Sequence, residues 1–145
     1  MVNQNISMNP IIKNILAVIA GAVIGSIVNI SLINLGLMVI SPPEGGDVTT
    51  MEGLKATMHL FEPRHFIFPF LGHSIGTLIG AIAAAMVAAN KKKAYAIAIG
   101  VFFLAGGITN VLMLPSPGWF VAVDLIFAYI PMGWLGYTLY SKTAN

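Results

Sequence analysis

Two histidines and a glutamate lie close together in this sequence, and their spacing is compatible with metal chemistry. His59, Glu62 and His65 follow one another at intervals of three residues. Imidazole nitrogens and carboxylate oxygens are common ligands for zinc, iron and copper. His59 and Glu62 would share one face of a helix, and Pro63 would turn the chain so that His65 could fold back towards them. The triplet is therefore a candidate metal site, although its residues identify no particular cofactor.

The same residues have a second interpretation as anchors at a membrane surface. Arg64 and the two histidines can hydrogen-bond lipid phosphates, and amphipathic side chains of this kind are common at the headgroup level of a bilayer. A proline interrupts the triplet, and its order matches neither the HExxH zinc motif nor the reverse of that motif. The residues favour anchoring over metal binding and leave both interpretations open.

A second group of polar residues lies inside long apolar segments. A carboxylate that faces lipid costs at least about 2.5–3.5 kcal/mol, so Asp124 should point into the protein and find a partner there. His73 is the expected partner, because both residues lie at a similar depth from the same end of their segments. Interhelical hydrogen bonds that merely hold helices together, at about 0.6 kcal/mol each, are the structural alternative. The predicted pocket consists of Asn29, His73, Asn110, Asp124 and Tyr129.

The elements that must position these residues follow from the composition. Apolar residues make up 57% and charged residues 8% of the 145 residues, whereas roughly a quarter of a water-soluble domain is charged. The bilayer is therefore the expected surrounding of most of the chain. A net charge of +2 is too small to indicate a nucleic-acid-binding protein. The absence of cysteine excludes disulfides and thiolate metal sites.

Long uncharged segments predict four transmembrane helices, since about 20 apolar residues span a bilayer. The predicted spans are residues 12–40, 66–89, 94–114 and 118–140. The first span is too long for the apolar region of a signal peptide, so we expect it to be retained. The predicted fold is an all-α integral membrane protein, a four-transmembrane-helix bundle that forms a single domain over residues 1–145.

The loop between the first two spans, residues 41–64, is long enough to carry its own structure. Met51, Leu54, Met58 and Phe61 recur at helical spacing within it. Thr49 and Glu52 have the spacing of a helix-capping box. We expect a short amphipathic helix over residues 50–61, lying at the membrane interface or over the mouth of the bundle.

The distribution of lysines predicts the orientation of the spans. Lys13, the three residues Lys91–Lys93 and Lys142 flank one side of the bundle, whereas the 41–64 loop is mainly acidic. Because cytoplasmic loops carry an excess of lysine and arginine, both termini are expected in the cytoplasm and the 41–64 loop outside. The expected location is the inner (plasma) membrane of a bacterium.

Small residues recur at intervals of four in two of the spans. Such stripes allow helix backbones to approach closely, either within one chain or between copies. The expected partners of this chain are the lipid bilayer and, through these stripes, a second copy of the chain. No nucleic-acid partner is expected. The stripes consist of Gly21, Gly25, Gly72, Gly76 and Gly80.

Three functions are compatible with these residues. The first is the binding or passage of a small polar or cationic solute, or of protons, through an outward-facing pocket around Asp124 and His73. The second is a membrane-embedded, metal-dependent enzyme that uses the His59, Glu62 and His65 triplet. The third is a non-catalytic subunit or assembly factor of a membrane complex, in which the polar residues only hold helices together.

Overall fold

The computed structural model describes residues 8–144, and all regular secondary structure in that range is helical. Two short 3-10 turns, Met58–Leu60 and Pro63–Phe66, connect the second α-helix to the third. The α-helices of the described range are α1 (Pro10–Val39), α2 (Met51–Thr57), α3 (Ile67–Val87), α4 (Lys92–Met113), α5 (Gly118–Phe127) and α6 (Ile130–Thr143).

Within residues 8–144, four helical segments are long and apolar enough to cross a membrane, which is the number of spans that the sequence predicts. They are Pro10–Val39, Pro63–Val87, Lys92–Met113 and Gly118–Thr143. Their bounds lie within a few residues of the predicted spans. We call the end of the bundle that carries residues 40–66 the loop end, and the end that carries residues 88–91 the lysine end.

The fourth predicted span differs from the structure, because it is two helices rather than one. α5 ends at Phe127, and Tyr129 takes a non-helical backbone conformation, φ −120° and ψ −80°, before α6 begins. Pro131 lies in the first turn of α6, where its missing N–H is tolerated. The interruption places Tyr129 between two helix ends, with its side chain directed inwards.

The closest packing in the bundle joins α1 to α3 through their glycines. A Cβ atom added to Gly21 would lie 2.7 Å from the carbonyl oxygen of Gly80, and one added to Gly25 would lie 2.7 Å from that of Gly76. The reverse contacts are equally close, because a Cβ on Gly76 would lie 2.8 Å from the Gly25 oxygen. Only glycine allows two helices to approach this closely.

These contacts use both small-residue stripes inside one chain. Gly21, Gly25, Gly72, Gly76 and Gly80 are all buried. The stripes therefore seat α1 on α3 rather than facing a second copy. Self-association stays a prediction, and it requires a different surface from the one that the sequence indicated.

The lysine end is closed by a polar network that the sequence analysis did not anticipate. The Asn14 side chain accepts a hydrogen bond from the backbone N–H of Ala89 at 2.9 Å and donates one to the Asn90 side chain at 3.0 Å. The Lys92 ammonium donates to the carbonyl oxygens of Ala85 and Ala88, at 2.8 and 2.7 Å. These bonds satisfy carbonyl groups that the end of α3 leaves free. Small buried residues fill the interior beside them: Ala81, Ala84, Ala85, Ala96 and Ile99.

The glycine contact predicts a large difference between two alanine substitutions. In Gly80→Ala the new Cβ would lie 2.5 Å from the Gly21 carbonyl oxygen, so α1 and α3 must separate. We expect a loss of about 1–3 kcal/mol in the free energy of unfolding, as for other overpacked interiors. Thermal unfolding in detergent measures it. Gly106→Ala is the matched control, because nothing lies within 4 Å of a Cβ at that position. Equal melting temperatures for the two variants would contradict the packing.

Candidate functional site

A histidine from α3, an aspartate from α5 and a tyrosine from the break between α5 and α6 meet inside the loop-end half of the bundle. The Nδ1 atom of His73 lies 2.8 Å from Oδ1 of Asp124. The hydroxyl of Tyr129 donates a hydrogen bond of 2.7 Å to Oδ2 of the same carboxylate. That hydroxyl oxygen also lies 3.1 Å from Nδ1 of His73. The structure therefore brings together His73, Asp124 and Tyr129, three of the five residues of the predicted pocket.

The carboxylate at the centre of this cluster is almost completely enclosed. Asp124 is 3% exposed and Tyr129 is 1% exposed, whereas the side chain of His73 retains 13% exposure. A buried carboxylate is stable only when hydrogen-bonded. Each of its two oxygens has a donor here, so the charge is satisfied within the protein. His73 is the member of the cluster that can contact another molecule.

The break between α5 and α6 is what carries Tyr129 to the carboxylate. Two glycines of α4 provide the space for this residue. A Cβ on Gly107 would lie 2.5 Å from the Tyr129 hydroxyl, and a Cβ on Gly100 would lie 2.9 Å from the Tyr129 carbonyl oxygen. The interruption of the fourth span and the two glycines of α4 therefore both allow Tyr129 to lie beside Asp124.

The hydrogen bonds define which nitrogen of His73 is free. An ionised carboxylate only accepts hydrogen bonds, so we assign a proton to Nδ1, facing Asp124. In the neutral ring, Nε2 then carries a lone pair. Nε2 has no hydrogen-bond partner among residues 8–144, and none of their fully buried side-chain nitrogen or oxygen atoms lacks a partner. Nε2 is therefore accessible, and it can accept a hydrogen bond or a proton.

A cavity of about 260 Å³ lies above His73 at the loop end. Its walls come from the loop-end halves of α1, α3 and α4, from α5, and from the apolar face of α2. Met51 and Leu54 contribute that face, and Met58 of the following 3-10 turn continues it. The amphipathic helix expected over residues 50–61 is shorter than predicted, because α2 ends at Thr57 and the 3-10 turn Met58–Leu60 follows. The helix and the turn together cover the cavity. The walls are aliphatic and aromatic, with neither lysine nor arginine among them. The polar lining residues are His65, His73, Asn110, Ser116 and Asp124.

Aromatic rings pack together at the loop end of the cavity. The rings of Phe66 and Phe120 lie 4.6 Å apart, and those of Phe66 and Trp119 lie 5.6 Å apart with an edge-on arrangement. Met58 packs in the same cluster. Large side chains at this end and small ones at the lysine end explain why the cavity forms here.

The loop that carries α2 is held by one carboxylate. Asp47 accepts hydrogen bonds from the backbone N–H and hydroxyl of Thr49 and from the hydroxyl of Thr50. These bonds lower the pKa of Asp47 below its ordinary value, so the carboxylate stays charged in this arrangement. The Thr50 hydroxyl oxygen in turn accepts a bond from the Gly53 N–H at the start of α2. Asp47 therefore positions the cover of the cavity.

The structure does not assemble the predicted metal triplet. The part of the chain between residues 8 and 144 contains no group of three histidine, aspartate or glutamate side chains placed to hold a metal ion. Both nitrogens of His65 contact backbone groups. Nδ1 accepts a hydrogen bond from the N–H of Glu62 at 2.9 Å, and Nε2 lies 3.2 Å from the carbonyl oxygen of Ser41. Glu62 pairs with Arg64 at 2.9 Å on the exposed surface. His65 therefore stabilises the turn into α3.

The two predicted asparagines lie beside the cluster rather than within it. Asn29 of α1 and Asn110 of α4 line a groove of about 370 Å³ together with His73 and Tyr129. Neither asparagine side chain makes a hydrogen bond to another residue between 8 and 144. The two asparagines therefore do not hold helices together through hydrogen bonds in this structure, although the sequence left that interpretation open.

No protein-family model, no curated protein and no solved structure matches this chain. Its class therefore rests on its own fold and site. Over residues 8–144 its regular secondary structure is helical, with four segments long and apolar enough to span a membrane, and a buried histidine–aspartate–tyrosine cluster lies beneath a mainly apolar cavity.

The tyrosine hydroxyl provides a test of the cluster. Tyr129→Phe leaves Oδ2 of the buried Asp124 without its donor, and an unsatisfied buried acceptor costs about 1–3 kcal/mol. We expect a lower melting temperature in detergent. Tyr137→Phe is the matched control, since Tyr137 is only half-buried and its hydroxyl bonds to no residue in the described range. If both variants melt at the wild-type temperature, Tyr129 does not stabilise the carboxylate.

Proposed function

We propose that this chain is a multi-pass membrane protein that binds a small molecule in the loop-end cavity, with Nε2 of His73 as the group that recognises it. The carrying observation is that His73, whose Nε2 has no hydrogen-bond partner among residues 8–144, lines a mainly apolar cavity. Asp124 and Tyr129 act as positioning residues, because they fix the orientation and the tautomer of the His73 ring, which is the group that contacts the ligand.

The walls of the cavity define the chemistry of the ligand. Mainly apolar walls require an apolar body, and the few polar groups among them, including Nε2 of His73, the Asn110 amide and the Ser116 hydroxyl, require a hydrogen-bonding group on that body. Both oxygens of Asp124 already have donors, so the carboxylate provides no vacant ligand set for an inorganic cation. A molecule with a hydroxyl group on an apolar body therefore fits better than the small polar or cationic solute that the sequence favoured.

Binding is better supported than passage through the chain. Between His73 and the lysine end, the interior is filled by fully buried side chains, among them Thr77, Ala81 and Ile99. Interiors packed to this density do not open without rearrangement of the helices. The cavity therefore resembles a binding pocket at one end of the bundle more closely than a conduction path.

We also propose that the lysine end faces the cytoplasm of a bacterial cell and the loop end faces outwards, because lysines cluster at the first and acidic residues at the second. Cysteine labelling in intact cells tests this orientation. A cysteine-reactive probe that cannot cross the membrane should label Gly46→Cys but not Ser141→Cys. Labelling of Ser141→Cys alone would reverse the assignment.

The ligand class is tested with 4-hexylphenol and 4-hexylanisole, which differ in whether the oxygen can donate a hydrogen bond. Equilibrium binding to the protein in lipid nanodiscs, referenced to empty nanodiscs, removes the contribution of membrane partition. A net hydrogen bond contributes about 0.5–1.5 kcal/mol, so the phenol should bind about 2- to 13-fold more tightly than the anisole.

A pair of neighbouring tryptophan substitutions provides the control. Val111 lines the cavity, whereas Leu112 next to it is 83% exposed. Val111→Trp should fill the cavity and abolish binding of both probes, and Leu112→Trp should bind them as the wild type does. Equal binding by these two variants would show that the probes occupy another place, and the polar cluster would then be an element of helix packing alone.

A further inference from the structure

The groove that contains Asn29 and Asn110 opens on the side of the bundle, between the loop-end halves of α1 and α4. It has a volume of about 370 Å³. It shares four lining residues with the loop-end cavity: Ile33, His73, Gly107 and Asn110. The accessible edge of His73 can therefore be reached from the side of the bundle as well as from the loop end. We call this feature the side groove.

Small residues of α4 create the opening. Nothing lies within 4 Å of a Cβ placed on Gly106. Closer to the lysine end the same two helices are in contact, because Phe103 packs on Gly25 and Ile99 packs on Gly21. The separation of α1 from α4 therefore begins at the depth of His73, where an entering molecule would need it.

Five of the nine residues that line the groove carry polar side-chain groups: Asn29, His73, Thr109, Asn110 and Tyr129. Asn29 and Asn110 line it with amide groups that bond to no other residue between 8 and 144. The Thr109 hydroxyl, in contrast, donates to its own helix at the Ala105 carbonyl oxygen. An amide without a partner in hydrocarbon costs several kcal/mol. The two amides are therefore placed to bond a polar group that arrives from the bilayer.

We propose that the side groove is the entrance through which a membrane-dissolved molecule, a hydroxyl group on a long apolar chain, reaches His73. The amides of Asn29 and Asn110 bond the hydroxyl on its way in, Nε2 of His73 accepts its hydrogen bond at the end, and the chain stays in the groove. This inference rests on the proposed function and adds the source of the ligand, which is the bilayer rather than the aqueous phase.

Continuity with the cavity favours this occupant over a second copy of the chain. A packed helix would cover Asn29 and Asn110 from outside but would not enter the cavity beyond them. A flexible chain with a terminal hydroxyl can do both, because its polar end fits between the amides and the imidazole while its methylene groups contact Ile33 and Phe103.

The test uses two probes of different length in nanodiscs, 4-hexylphenol and 4-hexadecylphenol, with Gly106→Phe as the blocking variant. The short probe fits within the cavity, so Gly106→Phe should slow its association and dissociation by about tenfold each and leave its equilibrium affinity unchanged. The long probe must leave its chain in the groove, so its affinity should fall at least about tenfold. Ala105→Phe is the matched control, because Ala105 is exposed on the same helix but does not line the groove.

The outcomes separate this inference from the proposed function. If the short probe binds the wild type and Gly106→Phe changes neither its rates nor the affinity of the long probe, the ligand enters from the loop end and the side groove is not its entrance. If Gly106→Phe reduces the size of an oligomer in light scattering and Ala105→Phe does not, the groove is an interface between copies, which also overturns the inference. Failure of both probes to bind the wild type would instead remove the proposed function itself.

Discussion

The buried carboxylate of Asp124 is the constraint on which the loop-end half of this protein depends. An ionised carboxylate in an apolar interior is unstable unless each oxygen has a donor. One donor comes from α3, where His73 presents Nδ1. The other comes from Tyr129, whose hydroxyl reaches the carboxylate only because the fourth span is interrupted beside it. A glycine at position 107 leaves the room for that hydroxyl. The satisfaction of one charge therefore involves a histidine tautomer, a helix break and a packing contact.

The sizes of the side chains divide the bundle into a closed half and an open half. At the lysine end, alanine and glycine let the helix backbones approach closely around a buried interior, and Lys92 and Asn14 bond backbone groups at the end of α3. At the loop end, phenylalanine and methionine hold the helices apart and pack against α2. Rigid aromatic rings cannot fill the space as completely as small residues that allow backbone contact. A cavity above His73 is the consequence, and its apolar walls follow from the residues that create it.

The sequence predicts those features that depend on one segment at a time. Span number and approximate bounds follow from the length of uncharged segments, and the partnership of Asp124 with His73 follows from the cost of a buried charge and from equal depth. Features that depend on several segments are not predictable in this way. His65 has metal-ligand spacing in the sequence, but its two nitrogens bond the backbone of Glu62 and Ser41, which only the folded turn brings near. Asn14 is visible in the sequence as a polar residue inside an apolar span. Its partners Ala89 and Asn90 follow another helix, so the contact is not predictable from one segment.

The position of the charge also explains why an apolar ligand can be recognised beside a carboxylate. Asp124 is one of the residues that line the cavity, and desolvation of a bare carboxylate there by an apolar body would oppose binding. The hydroxyl of Tyr129 and Nδ1–H of His73 already replace water at its two oxygens, so this cost is met on folding and does not recur when a ligand enters. The ligand then meets the imidazole edge beside a carboxylate whose hydrogen bonds are already made. Asp124 therefore contributes to recognition through the ring that it holds in place.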